Sequence, residues 1–208
     1  MVIIAFLSLI FVYPQIPLQV PVHWGLSGVV DGYGPKWVLF LLGPGLMAAE
    51  VVLFAILPRI APKRHALESF EPTYLQFMLL TVALSGYLFA VLLAVAMGLQ
   101  FQTMPAILTG ISLVIMLMGN ALEKLQPNYF IGIRTPWTLA STRVWNSTHR
   151  FARKSLVLTG LLASAVAIVD GSPLLWLTAV LAGALAPVLY SLVFYKHLER
   201  QGQLDDVA

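Results

Sequence analysis

The sequence contains no cysteine and few charged residues. Without cysteine the chain has no disulfide framework, no thiolate metal site and no thiol nucleophile. Asp, Glu, Lys and Arg make up 10% of the 208 residues, whereas soluble domains carry about 25%. The chain is 59% hydrophobic, with a mean hydropathy of +0.87. This composition excludes a soluble domain and predicts an integral membrane protein.

Six apolar segments are the main feature of the hydropathy pattern. Because a membrane-spanning helix needs about 20 apolar residues, we predict an all-α polytopic fold with six transmembrane helices. The first segment has no basic region or cleavage site typical of a signal peptide, so we expect it to remain as a helix. Proline removes a backbone hydrogen bond, so Gly43-Pro44-Gly45 predicts a kinked or broken second helix. The predicted spans are residues 2–13, 37–57, 75–97, 105–122, 155–169 and 174–195.

The basic residues predict the orientation. Eleven of the twelve Lys and Arg residues follow the second, fourth and sixth spans, and only Lys36 lies on the opposite side. The positive-inside rule makes the basic side cytoplasmic. We therefore expect a multi-pass protein of a bacterial inner membrane with both termini in the cytoplasm. Membrane lipid is an expected partner, whereas the net charge of +3 does not suggest nucleic acid.

The outer loop between the first two spans carries candidate binding residues. His23 and Asp31 are suited to sharing a proton or a metal ion. Alternatively, Trp24 and Tyr33 belong to an interfacial aromatic belt, and His23 only hydrogen-bonds within the loop. One histidine and one aspartate are fewer than the three or four protein ligands of a zinc site. We therefore predict no metal site and no cofactor.

Glu50 lies in the second span just beyond the glycine-proline break. A rise of about 1.5 Å per residue places it roughly 20 Å from the outer end of that helix. An ionisable residue at such depth is by default a functional-site hypothesis. Two other interpretations stay open: a hydrogen bond to a neighbouring helix, or pairing with Asn120, Lys124 or Arg134.

The polar interval 119–150 predicts a structured cytoplasmic loop between the fourth and fifth spans. Its apolar side chains are too numerous for a solvated loop, so we expect it to fold against the membrane. Arg134 is the strongest candidate because its planar guanidinium suits a carboxylate or phosphate. The alternative is that the polar groups tie down the loop and cap helix ends. The candidate residues here are Asn120, Asn128, Arg134, Thr135, Pro136, Trp137, Thr138, Trp145 and His149.

These motifs resemble those of the SdpI family of bacterial membrane proteins, known for immunity to a secreted killing peptide. The resemblance rests on Lys124, Pro127-Asn128, IGIRTPWTL at 131–139, Val144-Trp145 and THR at 148–150. Residues 21–24 and 31–34 resemble the small domain often fused ahead of that family. We therefore divide the chain into an N-terminal helical pair with its outer loop (1–60) and a four-helix membrane region (61–208).

The resemblance implies six spans and a non-enzymatic immunity or receptor protein. Such a protein binds or neutralises a membrane-active peptide toxin on the outer side, and some relatives are thought to signal to a cytoplasmic regulator. Two alternatives stay open from the residues: a membrane-embedded enzyme, or a proton-coupled transporter, acting on a lipid or peptide. No hydrolase, protease or P-loop signature supports an enzyme. The broken second span with Glu50 is the feature that favours a transporter.

Overall fold

The computed structural model describes residues 1–61, 67–169 and 171–204, and most of them are helical. Lys63 and Arg64, which contribute to the predicted orientation, lie outside these residues. The helices are α1 (Val2–Val12), α2 (Val38–Ile60), α3 (Glu71–Ala96), α4 (Thr103–Ala121), α5 (Pro136–Ala140), α6 (Thr142–Val169) and α7 (Pro173–Arg200).

Five of these helices, α2, α3, α4, α6 and α7, are long and apolar enough to cross a membrane. Helix α1 continues as a 3₁₀ turn to Gln15. Its fourteen residues make it about 21 Å long, which is shorter than a hydrocarbon core of about 30 Å. All six predicted apolar segments are therefore confirmed as helices, and the first is the shortest.

Helix α2 is broken where the sequence predicted it. Residues Leu41–Gly45 form a π-helical turn that contains Pro44, and regular α-helix resumes at Leu46. Such a turn absorbs the backbone hydrogen bond that proline cannot make. The bare backbone of Gly43 packs against the ring of Phe89 on α3, and a Cβ at this position would overlap that ring. The break thus brings α2 and α3 close together.

The outer loop is a two-stranded antiparallel sheet, which the all-α prediction did not include. Strand β1 (Gln19–Trp24) pairs with β2 (Val30–Pro35), and His23 lies opposite Gly32. Lys36 ties the base of this hairpin to the end of α1, because its Nζ donates to the carbonyls of Tyr13 and Ile16 at 3.2 and 3.3 Å.

The C-terminal helices pack closely because small residues lie at their crossings. A Cβ on Gly160 of α6 would lie 2.6 Å from the Cβ of Met116 and 2.7 Å from the carbonyl oxygen of Ser112 on α4. Such small residues are typical of helix contacts in membranes, where backbones approach closely. Helix α6 also packs on α7, so α4, α6 and α7 form one unit.

Two apolar clusters form the interior, one toward each end of the bundle. The first joins α1 and β1 to α2 and α3 around Leu9, Val20 and Phe89. The second joins α3 and α4 to α6 around Tyr74 and Trp145.

The turns alternate between two sides. Residues of the hairpin, the α3–α4 turn and the α6–α7 turn line one groove, and we call this side the hairpin side. On the other side Arg143, at the start of α6, donates to the Gln203 side chain at 3.3 Å. We call this the loop side, because it carries residues 122–135. The alternation agrees with the predicted arrangement of the turns, while the assignment of the loop side to the cytoplasm stays a prediction.

Candidate functional site

The loop side is built around Trp145 and His149 of α6. Both side chains are fully buried, and their rings stack with centroids 4.0 Å apart. The indole N–H of Trp145 donates to the carbonyl of Leu125 at 2.8 Å. These contacts fasten the loop to α6, and the i, i+4 spacing that the sequence shows places the two rings on one helix face.

Both ring nitrogens of His149 have backbone partners. The backbone N–H of Ile133 donates to Nε2 at 3.1 Å, so Nε2 is an acceptor. Nδ1 lies 2.9 Å from the carbonyl of Trp145, so Nδ1 carries the hydrogen and donates. Only the neutral ring satisfies both contacts, because a protonated ring has two donors and no acceptor. His149 therefore has no ring nitrogen left for a ligand or a proton transfer in this arrangement.

Asn128 is the centre of the turn that precedes this contact. Its Nδ2 donates to the carbonyls of Gln126 and Ile131 at 2.9 and 3.1 Å. Its Oδ1 accepts from the backbone N–H groups of Phe130 and Ile131, both at 2.8 Å. All four hydrogen-bonding positions of this fully buried amide are used within the loop, so it holds the backbone rather than a ligand.

The TPWT motif caps α5 and ties the loop to α7. The hydroxyl of Thr135 accepts from the backbone N–H of Thr138, and the Thr138 hydroxyl accepts from the backbone N–H of Thr135. This is a reciprocal capping box, with Pro136 at the start of the helix where proline is tolerated. The Thr135 hydroxyl also lies 3.1 Å from that of Ser191 on α7.

The remaining loop-side candidates lie at the surface. Arg134 is exposed, and its guanidinium donates to the carbonyl of Tyr129. No carboxylate forms an ion pair with Arg134 in the described part of the chain. Asn120 is exposed and accepts from Nε of Arg153 at 3.3 Å, and Trp137 is half-buried. Arg134 and Asn120 are therefore exposed, whereas His149 is fully buried.

Glu50 pairs with α3 rather than with the loop. The hydroxyl of Ser85 donates to its Oε1 at 2.6 Å. The predicted alternative of pairing with Asn120, Lys124 or Arg134 is therefore wrong, because Ser85 on the neighbouring helix holds the carboxyl. The second oxygen, Oε2, is buried and has no hydrogen-bond partner.

On the hairpin side, His23 and Asp31 form a pair across the two strands. Nδ1 of His23 lies 2.5 Å from Oδ1 of Asp31, and the side chains are 70% and 52% exposed. Within residues 1–61, 67–169 and 171–204, no group of three or more His, Cys, Asp or Glu side chains is arranged to hold a metal ion. Tyr33 lies on β2 and is 65% exposed.

Two openings meet at Trp24. A polar groove of about 520 Å³ runs between the hairpin tip, the start of α4 and Gly171. An apolar cavity of about 260 Å³ continues from the hairpin between α2 and α3, and Ser85 lines it. Trp24 lines both openings. Sequence reasoning found Trp24 but missed Ser85, whose only signal is a hydroxyl in an apolar segment. The other cavity-lining residues are Val22, Leu42, Leu46, Leu88, Phe89, Val91, Leu92 and Ile107.

Comparison with known proteins adds to this geometry. Residues 124–191 match the SdpI/YfhL protein family, and residues 1–48 match the domain of unknown function DUF1648. Immunity protein SdpI of Bacillus subtilis (strain 168) is 24% identical over 199 residues, which cover 96% of this chain and 93% of that protein. No solved structure matches the chain significantly. The resemblance predicted from the motifs is confirmed: residues 124–191 are similar to the SdpI/YfhL protein family, and residues 1–48 are similar to DUF1648.

Proposed function

We propose that this protein gives a bacterial cell immunity to a membrane-active peptide toxin, by binding it within the membrane. The observation that carries the proposal is the similarity to immunity protein SdpI over nearly the whole length of both chains. In this proposal the protein is a receptor without catalytic activity. The separation of Glu50, Arg134 and His149 onto different contacts supports that choice, because an enzyme needs its reacting groups together.

We infer that the capture surface is on the hairpin side, which the predicted orientation places outside the cell. A membrane-active peptide has polar and apolar faces, and the two openings at Trp24 offer a polar groove beside an apolar cavity. Three apolar side chains of the hairpin, Leu26, Val29 and Tyr33, are each more than 60% exposed. They extend the apolar surface at the membrane boundary, where an arriving peptide would first make contact.

We propose that a cytoplasmic regulator binds the exposed residues of the loop side. Arg134 offers a guanidinium on a loop whose backbone is held by Asn128 and His149. A rigid support of this kind presents a charged side chain in one position, which favours recognition of a carboxylate.

The test is expression in Bacillus subtilis cells that lack immunity protein SdpI, with SdpI itself as positive control. Cells are challenged with the killing peptide to which they have become sensitive, and membrane expression is checked by immunoblot. We expect survival to rise toward that of the positive control. Unchanged killing at comparable membrane expression contradicts the proposed function.

A matched pair of variants tests the capture surface. Trp24→Ala removes the side chain shared by both openings, whereas Trp37→Ala removes an aromatic side chain that is 55% exposed and lines neither of them. We expect the first variant to lose protection and the second to keep it. Equal protection by both variants contradicts the assignment of the surface.

A further inference from the structure

The carboxyl of Glu50 is linked to the apolar cavity through Ser85, which lines the cavity and donates a hydrogen bond to Glu50. Leu42, Leu46 and Glu50 are spaced by four residues and share a face of α2, and the first two line the cavity. From α3, Ser85 lines the cavity and also donates to Glu50. A rise of about 1.5 Å per residue places both groups about 17 Å from the hairpin-side ends of their helices, near the middle of the bilayer.

The hydrogen bonding of this carboxyl is incomplete. Oε1 accepts from Ser85, and Oε2 is buried without a partner. A buried polar atom left without a hydrogen bond costs about 1–3 kcal/mol, and more if it is charged. Ionisable groups in membranes pair with one another or with backbone carbonyls, and they mark the paths of substrates and ions. The cavity lining contains no Lys, Arg or His, so no lining residue supplies a positive charge to Glu50.

We propose that the cavity binds an unbranched apolar chain that ends in a protonated amine, and that Glu50 and Ser85 receive the amine. The apolar walls accept the chain, and an ammonium group has three donors for Oε2, which has no hydrogen-bond partner. A neutral hydroxyl has one donor and no positive charge, so it is the weaker partner for a carboxyl group. At about 260 Å³ the cavity is smaller than typical drug-sized pockets, which suits one side chain or a short alkyl chain.

This inference rests on the proposed function for its natural ligand, which would be a basic group of the toxin presented beside apolar residues. The recognition chemistry is tested without a toxin by using n-octylamine and n-octanol, which share the chain and differ in the head group. The measurement is the thermal unfolding of the purified full chain in phosphatidylcholine nanodiscs as each compound is titrated.

We expect n-octylamine to stabilise the wild-type protein at concentrations at least tenfold lower than n-octanol. Glu50→Gln keeps the shape of the side chain but replaces the carboxyl with an amide, which cannot form an ion pair with an amine, so the two compounds should then act at similar concentrations. Leu46→Trp keeps the carboxyl but fills the cavity, so neither compound should stabilise that variant. Equal effects of amine and alcohol on the wild type, or an amine preference that persists in Glu50→Gln, overturn the proposal.

The survival assay separates this inference from the proposed function. If the wild type prefers the amine but gives no protection, the amine site stands and the immunity function fails. If the wild type protects cells but shows no preference for the amine, the immunity function stands and the amine site fails.

Discussion

Gly132 provides a sharp test of how the loop side is held together. Its φ is +110°, a backbone conformation that other residues adopt only with strain. A Cβ at this position would also lie 2.5 Å from Nε2 of His149, the atom that accepts from the N–H of Ile133. Gly132→Ala is therefore expected to cause two separate losses.

The two losses have different magnitudes. Strain from a side chain at positive φ costs roughly 1–2 kcal/mol. Displacing the imidazole breaks a buried hydrogen bond and leaves its partners unsatisfied, which costs a further 1–3 kcal/mol or so. We therefore expect Gly132→Ala to lower the free energy of unfolding by about 2–5 kcal/mol. The matched control is Gly98→Ala, because Gly98 also has a positive φ, +82°, but a Cβ there meets no atom within 4 Å.

The assay is reversible unfolding of purified protein in mixed micelles titrated with denaturing detergent. We expect Gly98→Ala to lower the free energy of unfolding through backbone strain alone. The free energies of unfolding of the two glycine variants should therefore differ by about 1–3 kcal/mol. His149→Ala removes the atom that a Cβ at Gly132 would strike, so the double variant should be less destabilised than the sum of the single variants. Equal losses in the two glycine variants, or strict additivity in the double variant, would refute the reasoning.

Three further substitutions test other contacts in the same unfolding assay. Asn128→Ala removes a buried amide that makes four hydrogen bonds. We expect it to lower the free energy of unfolding by about 2–4 kcal/mol. A decrease of less than about 0.5 kcal/mol would contradict the role of Asn128 in holding the loop. Trp145→Phe keeps a ring but removes the buried indole N–H, so we expect a loss of about 1–3 kcal/mol, and unchanged stability would show that this hydrogen bond is not needed. Gly160→Ala places a methyl against the Cβ of Met116 and should cost about 1–3 kcal/mol. The control is Gly86→Ala, because a Cβ at Gly86 would meet only the flexible ends of methionine side chains, at 3.3 Å or more. Gly86→Ala should therefore lower the free energy of unfolding by less than Gly160→Ala does. The reverse order would contradict the packing argument.

The sequence predicted those features of the fold that depend on local chemistry. Apolar segments long enough for a bilayer became helices, and Gly43-Pro44-Gly45 became the break in α2. Trp145 and His149 are four residues apart, a spacing typical of one helix face, and α6 runs without interruption from them through the fifth predicted span. In each case the signal is short-range, because it depends on residues within a few turns of one another.

The hairpin shows what local signals leave out. Residues 19–35 contain two prolines within the strands and several glycines, which are typical of turns and are depleted in strands. The sheet forms because Val20 and Ile16 reach the apolar cluster of α1, α2 and α3, and because Lys36 fastens its base to α1. These contacts join residues that are distant in sequence, so composition and periodicity did not predict them.

The partner of Glu50 was missed for a related reason. Charge favours pairing with Lys124 or Arg134, whereas the structure pairs Glu50 with the neutral hydroxyl of Ser85, thirty-five residues away. Packing decides between these outcomes, because the contact between Gly43 and Phe89 draws α2 onto α3 near the carboxyl. A single serine in an apolar segment gives no sequence signal of such a role.

Most buried polar side chains of the loop side have partners within the chain, although the hydroxyl of Thr148 is buried without one. On the loop side, Asn128, Thr135, Thr138 and His149 find partners within the chain, so their chemistry is used to hold the fold. Near the middle of the membrane, Oε2 of Glu50 has no partner. The dense motif at 131–139 is therefore best understood as the support, and we propose that toxin recognition belongs to the N-terminal half, where the cavity extends from Trp24 to Ser85, the partner of Glu50.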